Sequence, residues 1–222
     1  MQWENRHVAR LQAGARALRL GELDAATVLR ALRELANAAF AGGDGIVRLQ
    51  ASRTDDGSIH LVGTVRGLGI DRPEWSARLV SLTHQGASFS DGPKTTSRLT
   101  LALAADDARA AGVDEAVLLD GSGLVVEGAS SNLFVALSGG SLCTPRVASG
   151  AVAGIARTLV LERIEEAEER DISKGELLDA SELIAVNAVR GARPITRLDG
   201  KPVGDGRPGP WSRRLAAALT GD

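Results

Sequence analysis

Residues Lys94 to Arg157 read KTTSRLTLALAADDARAAGVDEAVLLDGSGLVVEGASSNLFVALSGGSLCTPRVASGAVAGIAR. The stretch opens with a lysine behind a Gly92-Pro93 turn. Leu99, Leu101 and Leu103 among alanines predict a helix over 97–111. Val113 to Asp120, with the apolar run Ala116-Val117-Leu118-Leu119 at its centre, reads as a buried strand. Gly121-Ser122-Gly123 turns the chain, and Leu124 to Glu127 returns as the second arm of a hairpin. A further hairpin follows, broken at Gly139-Gly140 and closed by Thr144-Pro145. Gly150 and Gly154 then open a helix through Arg157.

Three features of this stretch carry chemistry. A lysine amine forms Schiff bases with carbonyl compounds, pyridoxal phosphate among them. A carboxylate against a pyridine nitrogen keeps that nitrogen protonated, and a helix N-terminus opened by glycine accepts a phosphate. Lys94, Glu127 and the Gly154-Ile155-Ala156 turn supply one candidate for each part. Taken one at a time, a lysine or a glutamate is as readily a solvated surface charge.

Together the strings K-T-T-S-R-L, G-V-D-E-A-V-L-L-D-G-S-G, V-V-E-G-A-S-S-N-L-F, C-T-P and A-G-I-A-R resemble the fold-type IV pyridoxal-phosphate enzymes, the aminotransferase class IV family. Both their order and their spacing fit. The resemblance implies two small α/β domains of the D-amino-acid aminotransferase-like type, with pyridoxal 5'-phosphate as cofactor. It implies Lys94 as the Schiff-base lysine and catalytic acid/base, and Glu127 at the pyridine nitrogen. The amides of Ile155 and Ala156 would hold the phosphate. His7-Val8-Ala9-Arg10-Leu11 resembles an H-x-x-R-L string whose arginine binds that phosphate. Read without the resemblance, Arg10 is a solvated arginine on an amphipathic helix. The resemblance makes it a phosphate ligand, a role that suits planar bidentate donation.

Outward from this stretch, the pattern sets two domains, 1–88 and 94–222, linked near Phe89–Pro93. The first holds a helix with Val8, Leu11, Ala15 and Leu18 on one face, ended by Gly21. A second helix over 24–40 follows, then strands over 46–52 and 59–65 and another over 78–85. Members of the family carry further strands before the H-x-x-R-L string. This chain begins almost at the string, so the expectation is a shortened N-terminal domain or a start upstream of Met1. Beyond Arg157 the helix is expected to run to about Glu169, with the charge run 162–171 as its solvated face. Leu183 to Val186 is a buried strand that delivers a loop, Asn187-Ala188-Val189-Arg190-Gly191-Ala192-Arg193-Pro194-Ile195. By resemblance, Asn187 and Ala188 touch the phosphate. Arg190 either meets a substrate carboxylate or merely caps the strand end. Residues 211–219 close the chain as a helix.

Composition narrows the class. With 222 residues and 44% hydrophobic content, the chain can bury a real core. A net charge of −2 gives no electrostatic reason to expect nucleic acid. The single cysteine, Cys143, reads as a buried thiol in a reducing compartment. Met1 to Arg10 is polar and charged, unlike a signal peptide, and no apolar run approaches the roughly 18 residues of a membrane span. The expectation is a cytoplasmic protein without metal, taking a small amino substrate and assembling as a homodimer like its family.

Within the family the chain resembles most the 4-amino-4-deoxychorismate lyases of folate biosynthesis. Branched-chain transaminases place a tyrosine five residues after the lysine; here Leu99 stands there, and the sequence contains no tyrosine. Ala156 replaces the threonine of the transaminase G-[IV]-T-R string, and Asn187-Ala188-Val189-Arg190-Gly191 fits the lyase-like pattern. The alternatives are an amino-acid transaminase of branched-chain or D-amino-acid type and a protein that keeps the fold without catalysis.

Overall fold

The computed structural model of the chain describes residues 2–86 and 93–220. Its contacts divide into two units, Met1–Asp71 and Arg72–Asp222.

The first unit is built on α1 (Glu4–Ala17), α2 (Ala25–Phe40), β1 (Ile46–Arg53) and β2 (Ile59–Arg66). Asp24 starts α2 by accepting the Thr27 N–H at 2.8 Å, the usual satisfaction of a first-turn donor. The two strands pair antiparallel with Arg53 opposite Ile59. Period-two alternation then turns Val47, Leu49 and Ala51, with Ile59 and Leu61, toward Val8, Ala15, Val28 and Leu32 of the helices.

The second unit carries the larger sheet. Among the described residues nine strands join it, in the order β5-β4-β3-β10-β9-β6-β7-β8, with β11 paired to β10. They are β3 (Trp75–Thr83), β4 (Glu115–Leu119), β5 (Val125–Gly128), β6 (Asn132–Ala136), β7 (Leu142–Thr144), β8 (Ala167–Glu169), β9 (Glu182–Asn187), β10 (Gly191–Leu198) and β11 (Lys201–Pro202). The helices are α3 (Leu99–Ala110), α4 (Ile155–Arg163), α5 (Lys174–Leu178) and α6 (Pro210–Leu219). Both faces of the central strands are covered, which is why they read as continuous apolar runs. In β4, Ala116 and Leu118 pack with Leu101, Ala104 and Ala108 of α3, while Val117 enters the opposite core with Leu133, Ile172 and Ile195. Cys143 is fully buried in that second core.

Three boundaries differ from the sequence reading. The division between units falls at Asp71, not between 88 and 94, because β3 pairs in parallel with both β4 and β10 and so belongs to the larger sheet. Most of the expected link at Phe89–Pro93 lies outside the described residues. Next, α4 stops at Arg163 instead of running to Glu169: Ile164 turns extended at φ −118° and buries its side chain. Residues 167–169 then pair in parallel with β7. The charge run is therefore not a helix face. Glu169 meets the buried Arg157, Glu166 binds Arg214 at 2.8 Å, and Arg170 binds Glu176 at 2.7 Å. Finally, the expected loop after β9 is a tight turn, since Gly191 at φ 68° already faces Asn187 across the β9–β10 ladder.

Candidate active site

Glu127 sits near the end of β5, buried to 3% exposure. A carboxylate taken out of water requires donors. Its Oε2 has two: the Val152 N–H at 2.9 Å and Asn132 Nδ2 at 3.4 Å. Its Oε1 has no hydrogen-bond partner among the described residues. His84 Nε2 lies 3.5 Å from that oxygen, within ion-pair distance but outside hydrogen-bond alignment. A buried acceptor left open in this way is suited to a donor from a ligand.

Asn132, the first residue of β6, joins this carboxylate to the start of α4. Its Nδ2 also donates to the Val152 carbonyl at 2.8 Å. Its Oδ1 presses against Gly154 so closely that a Cβ there would lie 2.0 Å away. Gly154 caps α4 at an ordinary φ of −74° and offers no side chain to the first-turn amides. The N–H groups of Ile155 and Ala156 therefore open an uncapped helix N-terminus, a partial positive charge that favours an anion. Upstream, Gly150 at φ 110° brings its backbone against Gly86 and His84, where a Cβ would fall 2.6 Å from the Gly86 carbonyl carbon.

The turn after Glu127 is fixed from beneath by Glu115, which is 2% exposed. It accepts from Ser131 Oγ at 2.7 Å, Ser130 Oγ at 2.8 Å and the Ala116 amide at 3.0 Å. Burial pushes this carboxyl above the usual glutamate value, and the two serine hydroxyls pull it back most strongly.

Lys94 is exposed, on the irregular segment leading into α3. That segment is tied to the Glu127 turn by Arg98, whose Nη2 donates to the Ala129 carbonyl at 3.2 Å. Asn187 and Ala188 occupy the β9–β10 turn. Because Val186 pairs with Asn132, they lie at the same end of the strands as Asn132. The side chain of Asn187 closes its own turn, Oδ1 accepting from Val189 N at 2.9 Å and Arg190 N at 2.8 Å. Only its amide NH2 then remains to donate outward. Arg190 is half-buried in the same turn. Arg10 lies in the other unit, half-buried on α1, and loss of solvent lowers its pKa from the ordinary arginine value.

The second unit thus gathers Glu127, the Ile155-Ala156 amides and the Asn187 turn toward one end of its strands. Reading the sequence alone singles out neither His84, Asn132 nor Glu115. Asn132 and Glu115 stand inside the motif strings, so only their partners are new. A lone histidine at the end of a strand gives no local signal.

The sequence pattern that defines the family described as amino-transferase class IV matches residues 2–198. A probable branched-chain-amino-acid aminotransferase of Aquifex aeolicus (strain VF5) is 34% identical over 119 residues, which is 51% of this chain and 38% of that protein. A D-alanine aminotransferase of Bacillus licheniformis is 37% identical over 116 residues, 50% of this chain and 40% of that protein. The matched region is thus less than half the length of these curated relatives. A structure from Legionella pneumophila subsp. pneumophila str. Philadelphia 1, proposed to be a 4-amino-4-deoxychorismate lyase, superposes with a TM-score of 0.84 at 21% identity. That superposition covers 98% of this chain and 85% of the other. At that identity the likeness establishes the fold.

Proposed function

The chain belongs to the amino-transferase class IV family, and from that premise we propose that it is a pyridoxal-phosphate enzyme of the aminodeoxychorismate lyase type, releasing pyruvate to give 4-aminobenzoate. The observation that carries the cofactor assignment is Glu127, buried, with Oε2 committed and Oε1 open. A protonated pyridine nitrogen is the donor that Oε1 lacks, and the uncapped start of α4 suits a phosphate. The residues present therefore fit the group.

When bound, pyridoxal phosphate supplies an electron sink that stabilises negative charge on the substrate carbon. The protein's own parts are assigned as follows. Lys94 would hold the cofactor through Nζ, and its free amine would take and return a proton beside the reacting carbon. Glu127 keeps the ring nitrogen protonated. The Ile155 and Ala156 amides and the Asn187-Ala188 turn would hold the phosphate, and Arg10 is a separate candidate whose planar fork suits the same group. The fixed fork of Arg190 suits a substrate carboxylate. The assembly proposed is a homodimer, which sedimentation would show.

Two features favour the lyase over amino transfer. Leu99, five residues after the lysine, is 74% exposed and has no hydroxyl to offer the cofactor. Ala156 likewise contributes only its backbone. The second reading, a transaminase, is favoured by the local likeness to branched-chain and D-alanine aminotransferases at 34% and 37% identity.

The test begins with borohydride reduction of the protein mixed with pyridoxal phosphate. The cofactor mass should appear on Lys94 and vanish in Lys94→Ala; an adduct on another lysine defeats the assignment. Aminodeoxychorismate should then yield 4-aminobenzoate and pyruvate. Amino exchange between amino acids and a 2-oxo acid, without aminobenzoate, overturns the lyase in favour of the transaminase. Inactivity in both assays, with cofactor bound, defeats the enzyme reading.

A further inference from the structure

His84 stands just beyond β3, with its amide donating to the Leu119 carbonyl at 2.8 Å. Its Nδ1 accepts the Gly86 N–H at 3.1 Å. A nitrogen that accepts a hydrogen bond carries its lone pair, so the neutral ring holds its proton on Nε2. That N–H faces Glu127 Oε1 at 3.5 Å, and both side chains are almost excluded from solvent, at 10% and 4% exposure. The place of the ring is set on its other side by Gly150, where a Cβ would come within 2.8 Å of His84 Cε1.

We propose that His84 is a positioning residue for Glu127. Its Nε2–H would share Oε1 with the cofactor's ring N–H, while Val152 N and Asn132 Nδ2 donate to Oε2. The carboxylate would then be held in one rotamer by four donors. This role rests on the pyridoxal-phosphate reading. The direction of the His84 proton does not.

The experiment has two arms. In the cofactor-free protein, nitrogen-15 NMR of the imidazoles, with His84 identified among the three histidines by its loss in His84→Gln, should show Nε2 protonated and Nδ1 bare. An Nδ1-protonated ring overturns the proposal whether or not the cofactor binds. In the second arm, pyridoxal phosphate is titrated into wild type, His84→Leu and His84→Gln. His84→Leu should shift the absorbance band of the bound cofactor and cut turnover roughly tenfold or more, the scale seen when outer-shell partners of metal ligands are removed. His84→Gln, which keeps a donor at the same reach, should restore most of both. If His84→Leu matches wild type in band position and turnover, or if His84→Gln fails like His84→Leu while remaining folded, His84 only fills space. Failure of the wild type to bind pyridoxal phosphate defeats the functional reading itself and this role with it.

Discussion

Gly154→Ala separates steric from backbone effects at the candidate site. The backbone at Gly154 is ordinary, at φ −74°, so alanine there should gain about 0.4–1 kcal/mol from a less disordered unfolded chain. The side chain has no room, because its Cβ would fall 2.0 Å from Asn132 Oδ1. Asn132 must swing away, and overpacking of that kind costs about 1–3 kcal/mol. The move also breaks the 2.8 Å bond from Nδ2 to the Val152 carbonyl, leaving buried polar groups unpaired at about 1–3 kcal/mol. The net expectation is about 3 kcal/mol of lost stability. Urea unfolding followed through tryptophan fluorescence reads this directly, since Trp75 is buried in the core of the same unit. The decisive control is Asn132→Ala. With that oxygen removed, the nearest remaining neighbour of the new Cβ is Arg157 Cβ at 3.7 Å, an ordinary contact. Gly154→Ala should then be nearly neutral, with a coupling energy at the upper end of the ~0.5–3 kcal/mol range for touching residues. Equal destabilisation in both backgrounds would refute the steric argument, and so would a single variant as stable as wild type.

Two other expectations concern Arg10 and the acid edge of stability. Arg10→Ala should weaken pyridoxal-phosphate affinity by about 1.5–3 kcal/mol, the range for hydrogen bonds to a charged group, measured by fluorescence titration. Unchanged affinity would leave Arg10 as a half-buried helix residue and no more. Glu176 is held at about 2, below the ordinary 4.5, first by Arg170 and then by the Ser173 cap that the two residues share. Its folded pKa is depressed, so its contribution is complete above about pH 4.5 and is lost as the pH falls toward 2. Because the pair is more than a third exposed on the Glu176 side, solvent screens the gain. Melting temperatures between pH 5 and about pH 2.5 should fall more steeply in wild type than in Glu176→Gln; parallel slopes would contradict the assignment.

What the sequence could disclose follows from the range of each interaction. The hairpins over 115–128 and 132–144 were legible because both strand faces are buried and glycines mark the turns. The start of α2 was legible because Asp24 caps a helix three residues ahead of its partner. The end of α4 was not. Nothing local stops a helix at Arg163; it stops because Ile164 finds a core and the following residues find β7. The reading of 187–195 as a loop erred for a related reason, since β10 is held on one side by the adjoining β9 but on the other by β3, a strand far back in the chain that no pattern within the segment announces.

The candidate site divides along the same line. Glu127, Ile155 and Ala156 could be proposed because each stands in a short string that resembles the family's. Their coupling could not. Asn132 reaches Glu127, five residues back, and Val152, twenty residues on, through the two hydrogens of one amide. The 150–156 segment consequently serves the carboxylate through Val152 N and opens the anion site through Ile155 and Ala156. A displacement of Asn132 therefore disturbs both at once. That is why a single methyl at Gly154, aimed at neither the carboxylate nor the helix amides, is expected to be felt at each.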